Sequence, residues 1–495
     1  MLDGSGLLDP LDLEMAAGAP AAAASTTVDN RQLNPSSRMG GLIISEIMYN
    51  PVDPDGVGAL TASDVEFVEI YNSEEVSNDM SGYELTGEID FVFPEGTVIS
   101  GRSYIVVASN PVVAEWHYGI VGVLGPFSGN LNNDGGTLRL RNQMNAILQD
   151  IQYDDDYPWP AAADGAGHSL VMTRPDFGED SVEAWEASDY VDGNPGTYNQ
   201  TFTDNLANIK INEVMAHTDL PDIDFIELYN HSNSTVSVSG LRITDDTDPS
   251  DPGYVEYTIP GGTSIAPRGH LMLDQNTLGF SLDMQGDRVY LRDLSRDRMI
   301  DAVKFGAMEN GVSLGRLADG ADEFRVMSAP TPGTANAEPA NYDVVINEVM
   351  YHPISQNSDD EFIELYNRGA SPVVLDNWRF TEGVRYTFPV GTTIGAGEYL
   401  VIAKDALRLI AANPGVLDAS NTLGDFSGTL SDRGERIVLS RPDDSLLPLQ
   451  DFVVMDEVFY TDGESWGTWA DGGGSSLELI DPHSDNMRAS NWSDS

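Results

Sequence analysis

Apolar residues in this chain come in short runs rich in Val, Ile, Leu, Phe and Tyr, each bounded by Gly, Pro, Asn or Asp. That spacing predicts strands joined by turns; few stretches read as helical, and 405–412 is the best of them. The runs also repeat. Ile44-Ser45-Glu46-Ile47-Met48-Tyr49 returns as Ile211-Asn212-Glu213-Val214-Met215-Ala216 and as Ile346-Asn347-Glu348-Val349-Met350-Tyr351. After an acidic loop, each is followed by a second run. These are Glu66-Phe67-Val68-Glu69-Ile70-Tyr71-Asn72, Asp224-Phe225-Ile226-Glu227-Leu228-Tyr229-Asn230 and Glu361-Phe362-Ile363-Glu364-Leu365-Tyr366-Asn367.

The correspondence continues in one order. Phe93-Pro94-Glu95-Gly96-Thr97-Val98-Ile99 matches Ile259-Pro260-Gly261-Gly262-Thr263-Ser264-Ile265 and Phe388-Pro389-Val390-Gly391-Thr392-Thr393-Ile394, and Gly167-His168-Ser169-Leu170 matches Gly311-Val312-Ser313-Leu314 and Gly474-Ser475-Ser476-Leu477. A pattern repeated three times at this length predicts an all-β chain of three tandem immunoglobulin-like β-sandwich domains. Repeats of roughly 130 to 160 residues can each bury a core, so independent beads are expected rather than a solenoid. The expected domains span 41–200, 207–337 and 342–495, after a disordered, Ala/Gly/Pro/Ser-rich leader at 1–40. The first two close on Asn194-Pro195-Gly196-Thr197 and Thr331-Pro332-Gly333-Thr334. The third stops short of that motif, which predicts truncation of its C-terminal end within a longer protein that carries neighbouring domains.

Charge narrows the function classes. Lys+Arg 25 against Asp+Glu 80 leaves a net charge of −55, a surface that repels nucleic-acid phosphates and anionic membranes. No nucleic-acid partner and no membrane insertion are therefore expected. With no cysteine, disulfides, thiolate metal sites and cysteine nucleophiles are excluded. The first 25 residues lack the layout of a signal peptide.

The sharpest chemical candidates are the repeated glutamates Glu46/Glu69, Glu213/Glu227 and Glu348/Glu364. In the third copy Ile363 and Leu365 should face the core, with Glu364 opposite, between Phe362 and Tyr366; Glu348 should share a face with Ile346 and Met350. If the two strands are neighbours, the carboxylates approach and need a shared proton, an arginine or a cation. Three readings stay open: hydrogen bonding to loop backbone or arginine, calcium coordination, and paired-carboxylate hydrolysis. Threefold recurrence weighs against catalysis. Calcium would draw on nearby acidic loops: Asp53, Asp55 and Asp64; Asp222 and Asp224 beside Asp219; Asp359 and Asp360; and also Asp154-Asp155-Asp156 and Asp245, Asp246, Asp248 and Asp251. The histidines have no zinc spacing. Trp159, Trp378, Trp466 and Trp469 could line a sugar platform, although core positions are commoner for tryptophan.

The combination of Ile-Asn-Glu-Val-Met-Tyr-His-Pro at 346–353, Glu-Phe-Ile-Glu-Leu-Tyr-Asn at 361–367 and Phe-Pro-Val-Gly-Thr-Thr-Ile at 388–394 resembles the lamin-tail domain family, of the bacterial extracellular type. The third copy is nearest the pattern, and the second departs most, with Ala216 in place of the tyrosine. The resemblance implies a compact immunoglobulin-like sandwich with no shared chemistry, hence no enzyme. It further implies an extracellular or cell-surface scaffold, adhesion or accessory array with protein or glycan partners. Carbohydrate-binding modules of a larger secreted enzyme are the alternative.

Overall fold

The computed structural model describes residues 40–54, 60–175, 178–179, 181–198, 204–249, 251–443, 451–462 and 466–495. Asp55 and all but the last residue of the expected leader lie outside these. The described chain is almost entirely β, in three modules of paired sheets.

Each module is centred on the two repeated runs. Leu42–Met48 pairs antiparallel with Phe67–Asn72 and lies between it and Leu170–Met172 in a five-stranded sheet. Ile209–Met215 and Val344–Met350 hold the same central place in the second and third modules. The opposing sheet carries Gly136–Arg141 with Ile147–Tyr153 in the first module, Gly286–Arg292 with Met299–Gly306 in the second, and Gly434–Pro442 with Phe452–Thr461 in the third. The inner faces meet in one apolar core per module, built on Ile44, Ile70 and Leu140; Ile211, Leu228 and Leu291; and Ile346, Leu365 and Leu439. Burying such side chains is worth about 1.5–3 kcal/mol each, so every module has its own source of stability.

The central strand does not alternate as its sequence suggests. A register shift falls between Ile44 and Glu46, between Ile211 and Glu213, and between Ile346 and Glu348. This bulge puts both Ile346 and Val349 in the core, three positions apart, and turns Glu348 off the Ile346 face. The expectation that Glu348 and Ile346 share a face is corrected accordingly: an extra residue resets a two-residue period. Ile363 and Leu365 do enter the core, with Glu364 on the other face. The expected helix forms at Ala406–Ala412, capped by Asp405, whose side chain accepts from Arg408 N. A further helix, Pro111–Tyr118, starts with proline in its first turn after the Asn110 cap; its β-branched residues hid it from pattern reading.

The modules are not separate beads. Arg288 and Lys304 of the second reach Asp164, Asp155 and Asp156 of the first. Arg433 of the third reaches Asp150 of the first at 2.5 Å, and Arg441 reaches Glu309 of the second at 2.5 Å. Tyr190 bridges to Arg298, and Val191 N donates to Asp297 O at 2.9 Å. Repeat length predicted independence because each core is self-sufficient; it carried no information about the polar faces that dock.

Candidate functional site: paired glutamates and acidic clefts

The bulge sets the geometry. It frees one backbone N–H per module in the middle of a sandwich, and the opposing sheet supplies an acceptor. Ile44 N donates to Gln149 Oε1 at 3.0 Å, Ile211 N to Asp301 Oδ2 at 2.7 Å, and Ile346 N to Asp456 Oδ2 at 2.6 Å. Burial raises Asp456 to about 7, against the pull of these hydrogen bonds. Sequence reading missed this trio; its signal was a polar residue, Gln149, Asp301 or Asp456, at one equivalent place in three corresponding strands.

Immediately after the bulge the glutamates stand opposite one another: Glu46 with Glu69, Glu213 with Glu227, Glu348 with Glu364. In the first two modules they are almost wholly buried, Glu46 and Glu69 at 1 % and 2 % exposure and Glu213 and Glu227 at 0 %. Their partners are neither arginine nor a clustered acidic loop. Ser169 Oγ donates to Glu46 at 2.5 Å and Asn194 N at 3.1 Å; Ser45 Oγ donates to Glu69 at 2.7 Å and Gly196 N at 2.5 Å. The second module repeats the pattern. Ser313 Oγ and Thr331 N donate to Glu213 at 2.6 and 3.0 Å, and Gly333 N donates to Glu227.

The closing motif is therefore a turn held by two carboxyls. Proline at the second position and glycine at the third, with φ of +83° at Gly196 and +82° at Gly333, suit a type II turn. Thr197 and Thr334 lock it by donating from Oγ1 to the carbonyls of Asn194 and Thr331 at 2.9 and 3.1 Å. The turn presents two N–H groups to the glutamate pair. Burial first, then repulsion from Glu46, pushes Glu69 well above the ordinary carboxylate range; burial raises Glu46 to about 7 and Glu227 to about 7, while their hydrogen bonds pull the other way. Glu46 and Glu69, buried on neighbouring strands, thus favour their protonated forms.

In the third module Glu348 and Glu364 are partly exposed. Ser476 Oγ donates to Glu348 and Asn347 Nδ2 donates to Glu364 at 3.0 Å, and no turn lies on the pair among the described residues.

The preceding acid of each second run has its own backbone duty. Glu66 accepts from Leu131 N at 2.8 Å, Glu361 from Leu430 N at 3.0 Å, and Asp224 from Leu282 backbone and from Thr218 Oγ1 at 2.8 Å. Asn72, Asn230 and Asn367 each donate from Nδ2 to loop carbonyls such as those of Val76, Ser234 and Ser371. Most polar letters of the repeated motif thus satisfy main-chain groups that the sandwich would otherwise leave unpaired.

The loop acids fall elsewhere. Asp53 accepts from Ala62 N at 2.7 Å, Asp64 accepts from Thr61 N and from Asn110 Nδ2, and Asp360 pairs with Arg408. Asp359 sits in the single turn Ser358–Asp360. Asp53 and Glu66 line a cleft of about 550 Å³ in the first module. Asp222, Asp224, Asp245, Asp246, Asp251 and Asp287 line the corresponding cleft of about 740 Å³ in the second. The paired glutamates line neither, so the structure separates two sets of acids that the sequence placed together. Among the described residues, Asp154, Asp155 and Asp156 are the three acids whose oxygens come within 4.8 Å of one another. Lys304 Nζ already sits there, 2.8 Å from Asp156 and 3.3 Å from Asp164. Trp159, Trp378 and Trp466 are core residues and only Trp469 of the four is exposed, so they form no common platform. Ser169 is fully buried against Glu46 and offers no accessible nucleophile.

Comparison with known proteins agrees with this frame. No curated protein matches the chain. One solved structure, a DUF4876 family protein from Bacteroides thetaiotaomicron, overlaps 52% of this chain and 78% of its own at 14% identity and a TM-score of 0.20, a likeness too slight to carry any argument. The family model described as Lamin Tail Domain matches residues 35–155, 203–307 and 337–462. Those three matches take in most of the sequence and all three central strand pairs, and the chain belongs to the Lamin Tail Domain family.

Proposed function

We propose that the chain is a non-catalytic extracellular scaffold whose three sandwiches are docked into one stiff body. The observation that carries this reading is the fate of the polar groups. In the first two modules the carboxyl pairs that could have done chemistry are buried and bound to main-chain donors, while Arg288, Lys304, Arg433 and Arg441 pair with acids of another module. The family's immunoglobulin-like architecture and the absence of cysteine agree with a secreted surface role. Small-angle scattering tests it: the docked arrangement gives one compact profile, whereas a profile of three freely jointed modules would sink the proposal. Turnover of a glycosidase or esterase substrate that disappears in Glu364→Gln would overturn its non-catalytic part.

Calcium is a second reading, favoured by the cleft of the second module. There burial first, and then the charge of Asp287, raises Asp245 to about 6, the signature of carboxylates crowded without a compensating cation. Calcium takes six to eight oxygens, of which Asp245 and Asp287 would supply carboxylates and main-chain carbonyls and water the rest. Millimolar calcium is expected to raise the melting temperature of the wild type but not of D245N/D287N; an equal response in both would remove the cleft from consideration.

A further inference from the structure

We propose that the cleft of the first module beside Glu66 is a binding site for a primary alkylammonium group, the chemistry of a lysine side chain or of a free aliphatic amine. The third module shows the matching position filled by a cation of the chain itself. There Lys404 Nζ lies 3.6 Å from Glu361 Oε2 and donates to Thr429 Oγ1 at 2.6 Å.

Main-chain contacts fix the correspondence. Glu361 accepts from Leu430 N as Glu66 does from Leu131 N, so Thr429 matches Asn130. Lys404 N donates to Glu361 O at 3.0 Å and Ser109 N donates to Glu66 O at 3.1 Å, so Lys404 matches Ser109. Serine is too short to replace the lysine, and Ser109 Oγ donates to Ser63 O at 2.5 Å instead. Glu66 and Asn130 both line the cleft of about 550 Å³. Among the described residues the Glu66 carboxyl meets the N–H of Leu131 and no cation. Burial raises it to about 7, an effect that an adjoining positive charge opposes.

An independent observation points to a ligand. Tyr49 lines the same cleft, is 1 % exposed, and its OH has no hydrogen-bond partner among the described residues. A buried hydroxyl in that state costs free energy that a donor from a ligand recovers. An ammonium carries three N–H donors and no acceptor, enough for Glu66, the side-chain oxygen of Asn130 and the Tyr49 oxygen. Lys404 is tethered and does not reach Tyr351, whose OH is also without a partner; an untethered ammonium has no such limit. A metal ion suits the cleft less well. Among the described residues it is Asp154, Asp155 and Asp156 that bring three acidic oxygens within 4.8 Å, so Asp53, Glu66 and Asp134 do not converge on one ion. The net charge of −55 concentrates organic cations at the surface without choosing among them; the choice of ammonium rests on Lys404.

The probe is monodansylcadaverine, a fluorophore ending in a primary alkylammonium, added to the 495-residue chain at physiological ionic strength. Its anisotropy should rise to saturation. Its N-trimethyl derivative keeps the charge but has no N–H donor, and should bind at least about tenfold more weakly, the scale of losing a hydrogen bond to a charged group. That comparison leaves the protein unchanged. Ser109→Lys, which gives the first module the cation that the third already has, should abolish the saturable rise. Tyr49→Phe should weaken binding several-fold with no fall in melting temperature, because the deleted hydroxyl has no partner to lose. Competition then identifies the source. A blocked Gly-Lys-Gly peptide that displaces the probe better than n-butylamine assigns the site to a lysine of a partner protein; equal or weaker displacement assigns it to a free amine. No saturable binding, equal binding of the trimethylated probe, or binding untouched by Ser109→Lys or by Tyr49→Phe would each overturn the assignment. The scaffold reading would survive such a failure, since it rests on the docking of the modules and not on this cleft.

Discussion

Replacing Gly193 by alanine tests whether the buried glutamates hold the closing turn. Gly193 has φ of +64°, and a Cβ there would lie 1.9 Å from Glu46 Oε1 and 2.6 Å from Ser169 Oγ. The left-handed backbone alone costs an alanine about 1 kcal/mol. The clash adds more, because the carboxyl or the turn must move. If the turn lifts, Asn194 N and Gly196 N leave, and two buried carboxyl oxygens lose partners at about 1–3 kcal/mol each. The sum is about 3–7 kcal/mol, a large part of a domain's usual stability. Gly119→Ala is the matched control: φ is +67° and nothing lies within 4 Å of the added carbon, so only the backbone cost applies. Hydrogen exchange read by mass spectrometry resolves the modules separately. G193A should speed exchange in the strands Leu42–Met48 and Phe67–Asn72 by about a hundredfold or more, with the third module unchanged. Equal effects from G193A and G119A would refute the latch.

Three further outcomes follow from the same geometry. Carboxyls whose folded pKa is raised, such as Glu46 and Glu227 at about 7, bind protons more tightly when folded; their contribution to stability is greatest below about pH 4.5 and declines as pH climbs to about 7. The melting temperature of E69Q should therefore fall less than the wild type's between pH 5 and 8, since the amide takes away one of the two raised carboxyls; parallel curves would count against that titration. Asp456→Ala strands Ile346 N in the core and should cost the third module about 1–3 kcal/mol in urea unfolding, with Asp456→Asn close to neutral; equal losses would show that the acceptor oxygen is not what matters. Lys304→Met leaves Asp155 and Asp156 without their cation at the junction of modules one and two, while Arg288 still holds Asp164. Cross-linking between those modules should drop, and calcium should restore it; unchanged cross-linking would remove Lys304 from the docking contact.

The sequence exposed the fold readily and the site only in half. Three ordered repeats of strand-like runs were enough to place the strands and the sandwich class, because both follow from hydrophobic pattern and turn spacing; the approach of Glu348 to Glu364 hung on their strands being neighbours, which the structure supplies. The bulge was invisible, since one inserted residue changes no composition and Ile346 and Val349 are both apolar whichever way they point. Without the bulge, neither the freed Ile346 N nor its acceptor Asp456 could be anticipated. The Pro-Gly-Thr motif was legible as a boundary, yet nothing in its spacing told that its N–H groups return to glutamates well over a hundred residues earlier, such as Gly196 to Glu69. The acidic loops misled by proximity in sequence: Asp53 and Glu46 are seven positions apart but serve a cleft and a latch on different sides of the strand end.

Docking looks paradoxical for a chain of net charge −55, because each sandwich should repel the others. The distribution of cations resolves it. Arg288, Lys304, Arg433 and Arg441 all spend their charge on acids of another module, and Asp150, with no exposed side-chain surface, takes both Arg139 of its own module and Arg433 of the third. These contacts are short and partly buried, so salt screens them weakly, while the module-to-module repulsion acts across solvent over distances beyond about 8 Å and is screened strongly at physiological ionic strength. Added salt should then tighten the assembly instead of loosening it. An acidic surface that sets a few of its cations across the junctions is thus suited to ionic surroundings, in which the same salt that keeps the outer faces soluble also removes the force that would push the modules apart.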